Sequence, residues 1–81
     1  MTDIPQPGER YRHFKGEDKL YEVIGLEIDT DSNEGGLRVA YTNLYDSVRY
    51  PRGTRFSRSL EMFCDEVEVN GEIVKRFTKV E

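Results

Sequence analysis

The sequence has no tryptophan, one cysteine and one histidine. A lone Cys64 cannot close an internal disulfide, which excludes the cross-linked framework on which small secreted domains usually depend. With His13 as the only histidine, no two-histidine metal site exists, and one Cys with one His is a poor zinc inventory. No apolar run approaches the ~20 residues of a membrane-spanning helix. The first eight residues, Met-Thr-Asp-Ile-Pro-Gln-Pro-Gly, lack the basic start and apolar stretch of a signal peptide. There is also no surplus of positive charge: 12 Lys and Arg stand against 16 Asp and Glu, for a net charge of −4. That speaks against non-specific nucleic-acid binding while leaving room for a local basic patch. These absences point to the cytoplasm, with no membrane partner, no metal and no cofactor.

What is present is aromatic. Five Tyr and four Phe in 81 residues can anchor a core. A chain this short buries only about 60% of the surface its unfolded form exposes, so one modest core is all it can build. Apolar residues do not recur at i, i+3, i+4, i+7, so helices are minor. Tyr11–Phe14 reads as a first strand, ended by Lys15-Gly16-Glu17-Asp18 as a turn. Leu20–Ile28 reads as a second. Its apolar parity switches at Gly25, the mark of a bulge or bend. Asp29 to Gly36 is a polar loop. It lacks the bidentate Glu of a calcium loop, since the twelfth position from Asp29 is Ala40. Leu37, Val39 and Tyr41 alternate with polar residues as a half-buried strand, and Thr54–Ser57 can form another. Ser59 can cap one helical turn over residues 60–63, with Met62 and Phe63 pointing inward.

Asn70-Gly71 favours the positive backbone angles of a type I′ turn. With a two-residue loop, Val69 faces Glu72, Val67 faces Val74, Glu66 faces Lys75 and Asp65 faces Arg76. One apolar pair and two opposite-charge pairs fall out of that register. The expectation is an all-β chain: a flexible lead-in over residues 1–8, then over 9–81 a small SH3-like or related open barrel of about five short strands. It would carry a C-terminal Asn-Gly hairpin and at most one helical turn. Its core would hold Phe14, Tyr21, Val23, Leu26, Val39, Tyr41, Phe56, Met62, Phe63, Val67 and Val74.

No paired carboxylates, phosphate loop or catalytic triad stands out. A Cys64–His13 nucleophile pair has no support from spacing, and Cys64 beside Phe63 reads as a small core filler. Two groups can bind. Tyr11, His13 and Lys15 share one face of the first strand and offer polar tips to an anion. Arg49, Arg52, Arg55 and Arg58 lie in a stretch without acids and are interleaved with Tyr45, Tyr50 and Phe56. Arginine among aromatics is what phosphate contact plus base stacking needs. The bland reading is that Asp65, Glu66, Glu68 and Glu72 neutralise these arginines in the fold. The candidate binding set is therefore His13, Lys15, Tyr45, Arg52, Arg55 and Arg58.

Gly8-x-x-Tyr11-Arg12-His13-Phe14-Lys15-Gly16, followed by Tyr21-x-Val23 and Val39-x-Tyr41-x-x-Leu44-Tyr45, resembles the opening of the domain-of-unknown-function family numbered 1653. Arg58-x-Leu60-Glu61-Met62-Phe63, Val67, Gly71 and Arg76-Phe77 continue the resemblance to the end. It implies a compact bacterial β domain without an assigned activity. Two stretches depart from the family. Ile28-Asp29-Thr30-Asp31 stands where members usually carry a His-Ser-Glu-Thr-like run, so a site using that His is absent or altered. Phe56-Ser57-Arg58-Ser59 stands where they tend to carry Trp-x-Arg-Pro. Three function classes follow: a non-catalytic module that binds an anionic ligand or RNA, a protein–protein adaptor using a sheet edge or the Tyr50 and Phe56 region, and a small enzyme. The partner is thus an anion, RNA or another protein, and oligomeric state is not written in the sequence.

Overall fold

A computed structural model of the chain describes residues 4–31 and 36–80. Seven short strands and one helical turn follow in the order β1 (Arg10–His13), β2 (Leu20–Ile28), β3 (Leu37–Asn43), β4 (Arg55–Ser59), α1 (Leu60–Phe63), β5 (Glu66–Val69), β6 (Glu72–Lys75) and β7 (Phe77–Val80). Five of them form one open antiparallel sheet in the order β4-β3-β2-β1-β7, and β5 pairs with β6 in a sheet of its own. The Asp29–Gly36 loop lies partly outside the described residues. Among those described, no helix is long and apolar enough to cross a membrane.

β2 spans the expected residues, and its bulge falls at the glycine. Val23 pairs with Tyr41 and Gly25 with Ala40, which leaves Ile24 without a counterpart. Beyond the bulge, Leu26 and Ile28 turn to the face that Tyr21 and Val23 occupy, opposite Val39 and Leu37. Leu26 was expected in the core but is 41% exposed. The reason is length: β1 pairs with β2 only as far as Glu22, so the far end of the β2–β3 ribbon runs past the strand that would cover it.

The core holds Tyr11, Val23, Val39, Tyr41, Phe63 and Phe77, with Tyr21, Phe56, Leu60 and Cys64 packed against it. Ser59 caps α1 by accepting the Met62 amide at 3.2 Å. Leu60, Phe63 and Cys64 stand three and four residues apart, on one side of the turn. Met62 falls on the other side and is 45% exposed, contrary to the inward placement expected of it.

The hairpin has the expected register, with Val67 opposite Val74 and Glu66 opposite Lys75. Asn70 and Gly71 both take positive φ, 51° and 83°. The expected pairing runs on to Asp65 and Arg76. In the fold it stops at Lys75, and Arg76 carries the chain from the small sheet to the large one. The Arg76 amide donates to the Asp65 carbonyl at 3.0 Å, and its own carbonyl accepts from the Phe14 amide at 3.0 Å. β7 then pairs with β1, placing Phe77 opposite His13. Phe77, absent from the expected core, stacks on Phe63 with ring centroids 4.2 Å apart. At the other end of the fold Pro5 is buried, and the Gly8 amide donates to the Val23 carbonyl at 2.9 Å. The lead-in thus meets β2 at Pro7 and Gly8.

Candidate functional site

Alternation along the strands places His13, Tyr21, Tyr41, Phe56, Arg58 and Phe77 on one face of the large sheet. Tyr21 is its centre. Its ring lies 5.3 Å from Tyr41, 5.7 Å from Tyr45, 5.8 Å from Phe77, 6.0 Å from Phe56 and 6.4 Å from His13. The Tyr21 and Tyr45 hydroxyls are hydrogen bonded at 2.8 Å. Burial, and then that bond, hold the Tyr21 phenol well above its usual range, so it keeps its proton.

On one side of this hub stands a group of cations. Arg58 donates from Nε to the Tyr41 hydroxyl at 3.5 Å, and its guanidinium lies 5.9 Å from the centre of the Phe77 ring. The His13 ring meets the same Phe77 ring edge-on at 5.0 Å. Partial burial, reinforced by the charges of Arg58, Lys15, Arg76 and Lys19, lowers the His13 pKa to about 4. The ring is therefore neutral at pH 7. Its Nδ1 accepts the Lys15 amide at 3.2 Å, which leaves the proton on Nε2 as a donor. The Arg76 Nε is buried without a hydrogen-bond partner.

Among the described residues, acids pair with Arg10, Arg38 and Lys79, and with none of Lys15, Lys19, Arg58 or Arg76. The hairpin acids also leave Arg49, Arg52 and Arg55 without an ion pair. A neutral imidazole donor beside Arg58, with further cations nearby that have no ion pair, is a set of groups that can meet an anion.

On the other side of Tyr21 lies a cleft of about 590 Å³, between the Asp18–Tyr21 segment and the loop from Asn43 to Tyr50. Lys19 Nζ sits 5.2 Å from the centre of the Tyr45 ring. Tyr50 stands perpendicular to Phe56 at 5.3 Å. The loop is tied internally. The Tyr50 amide donates to Ser47 Oγ at 2.9 Å, Asp46 Oδ1 accepts the Arg52 amide at 2.7 Å, and Asn43 Oδ1 accepts the Thr54 amide at 2.8 Å.

Of the six candidate binding residues, the fold gathers His13, Lys15 and Arg58, and connects Tyr45 to them through Tyr21. Arg55 pairs with Thr42 and has the opposite parity to Phe56, which puts it on the reverse face of β4. Arg52 lies in the turn that follows Pro51, away from the sheet face. Sequence reasoning passed over Lys19, Tyr41 and Arg76. Arg76 looked like the hairpin partner of Asp65, and nothing local marks its second role between the sheets. Cys64 packs against the core, and burial pushes its thiol up, away from the reactive thiolate. No three His, Cys, Asp or Glu side chains among the described residues gather as metal ligands.

A family described as "Protein of unknown function (DUF1653)" matches residues 9–79. No curated protein and no solved structure matches the chain.

Proposed function

The chain belongs to the DUF1653 family, and we propose that it is a small, non-catalytic, cytoplasmic binding module that takes an anionic ligand, RNA included, on the Tyr21 face of its sheet. The observation that carries this reading is the group of Arg58, Arg76, Lys15 and Lys19 around neutral His13, with no carboxylate paired to any of the four. Although the chain carries 16 Asp and Glu against 12 Lys and Arg, none of these four cations is paired with an acid among the described residues, which leaves them available to an anionic ligand. The open sheet is in keeping with a small SH3-like barrel, whose shallow surface and loop ends suit recognition. His13 and Arg58 supply donors, Lys15 adds charge, and Tyr45 forms the rim toward the cleft. Arg52 and Arg55 lie off this face and contribute long-range attraction.

Amide shifts of labelled protein, followed while pyrophosphate and short single-stranded RNA are added at low and moderate salt, test the proposal. Saturable shifts at residues 13–21, 41–45 and 56–58, lost in Arg58→Glu and kept in Arg55→Glu, are expected. Equal loss in both variants, or shifts scattered over the surface, would overturn it.

A second reading has one specific observation behind it. Leu26, Ile28 and Leu37 are exposed together at the end of the β2–β3 ribbon, beyond the cover of β1. A protein–protein adaptor would use such a surface. Its binding would depend weakly on salt and would survive Arg58→Glu.

A further inference from the structure

The cation group and the cleft are two halves of one surface, because the Tyr21 ring belongs to both. It borders the cleft and touches His13 and Phe77 on the cationic side. A ligand that satisfies both halves carries an anionic group joined closely to something that fits the cleft.

The walls say what that something is. Tyr45 and Tyr50 present aromatic surface, and Tyr50 is 43% exposed, so part of its ring is open to stacking. Asp18 and Asp46 stand among the lining residues beside Lys19 and Arg49. Two carboxylates and two cations leave the cleft without a surplus of positive charge, so nothing there selects a second anionic group. The carboxylates suit a neutral, flat partner with N–H or O–H donors on its edge. Aromatic faces plus mixed-charge edges fit a heterocyclic base with its sugar, and the volume suits a ligand of that size. The internal hydrogen bonds of the loop from Asn43 to Arg52 hold the cleft open beforehand, which lowers the ordering cost of binding.

Charge limits the length of the ligand. Arg58, Lys15 and Arg76 stand on the His13 side of Tyr21, Lys19 and Arg49 line the cleft beside Asp18 and Asp46, Arg55 faces the reverse of the sheet, and the chain as a whole is acidic. Asp18 and Asp46 interrupt the cations where the surface runs into the cleft, which disfavours following a long backbone. We infer that the cleft is a nucleobase subsite, and that the ligand is a nucleoside monophosphate unit, either free or at the end of a single-stranded RNA, with its phosphate at His13 and Arg58. This inference rests on the anion-binding reading above.

Titration calorimetry on the full chain compares inorganic phosphate, ribose 5-phosphate, the four nucleoside monophosphates and 5′-phosphorylated oligoribonucleotides of two to six residues. At least one monophosphate is expected to bind about tenfold or more tighter than ribose 5-phosphate, the gain expected of one stacked base. Tyr50→Ala should remove that gain and leave phosphate affinity unchanged, and Arg58→Glu should remove both. Tyr50 is exposed, and a thermal melt checks that its variant folds. Monophosphates no tighter than ribose 5-phosphate would overturn the base subsite while leaving the anion site standing. If no anion binds, both readings fall. With the base gain present, oligomers that bind tighter than the monomer assign the unit to an RNA end, and oligomers that bind no tighter assign it to the free nucleotide.

Discussion

His13 shows how far one residue can be read from sequence and where the reading stops. Alternation with Tyr11 and Lys15 put it on a definite strand face, and the fold keeps it on the face it shares with Tyr11. What alternation cannot supply is its neighbours from other strands: Arg58 from β4, Phe77 from β7, Arg76 before it, and Tyr21 beside it. Partial burial in this setting, and then the charges of Arg58, Lys15, Arg76 and Lys19, lower its pKa from the ordinary 6.5 to about 4. The unfolded chain therefore binds a proton at His13 more readily than the folded one. The resulting stability is complete above about pH 6.5 and is lost as pH falls toward 4. Carboxylates such as Glu9, held low by its hydrogen bond from Lys79, lose stability in acid as well. The informative quantity is thus a difference between proteins. Thermal melts from pH 7 to 4.5 should show a steeper fall in Tm for the native chain than for His13→Gln. Sulfate, which keeps its charge over this range, should recover part of that fall in the native chain and less in the variant. Parallel curves would mean that neither burial nor the surrounding charges disfavour the imidazolium in the fold. Arg55 and Arg58 make the complementary point: three residues apart in an extended strand, they face opposite sides, so a run of arginines every third residue never formed one surface.

At the scale of elements, legibility followed the distance between partners. The register of the Asn-Gly hairpin was readable because its turn chemistry and both strands lie within ten residues of sequence. The Gly25 bulge was readable because a parity switch is local. β7 was not, because its partner β1 lies at the far end of the chain, and Phe77-Thr78-Lys79-Val80 shows no alternation of its own. The helical turn was found with its cap, yet its inward side was misjudged at Met62. A single turn has room for one apolar stripe, and Leu60, Phe63 and Cys64 occupy it. Urea unfolding separates these positions. Phe77→Ala and Phe63→Ala should each cost about 3–5 kcal/mol, the usual loss for a buried phenylalanine. Met62→Ala should stay within ~0.5 kcal/mol, as for an exposed position. A large loss at Met62 would return it to the core and place α1 differently on the sheet.

For the whole molecule, the acidic balance and the cation group pull in opposite directions, and salt separates them. Net charge −4 repels a polyanion at long range, while in the proposed site Arg58, Arg76, Lys15 and Lys19 would attract a phosphate at short range. Each cation–phosphate contact with a single strand adds about 0.7 to the slope of log affinity against log salt. One phosphate unit on this face makes only a few such contacts, so the slope should lie on the order of −1 to −3 and should not steepen as an oligoribonucleotide grows. A protein that tracked the backbone would gain slope with every added nucleotide, and an adaptor docking through Leu26, Ile28 and Leu37 would show almost none. Fluorescence anisotropy with labelled oligomers of two, six and twelve residues, each at several salt concentrations, distinguishes these regimes. A slope that grows with length would show that Arg49, Arg52 and Arg55 work with Arg58 as one extended surface, despite their placement on a loop and on the reverse of β4. A slope that stays constant would confine recognition to the face around Tyr21, where an acidic domain can hold one anion without drawing in every polyanion it meets.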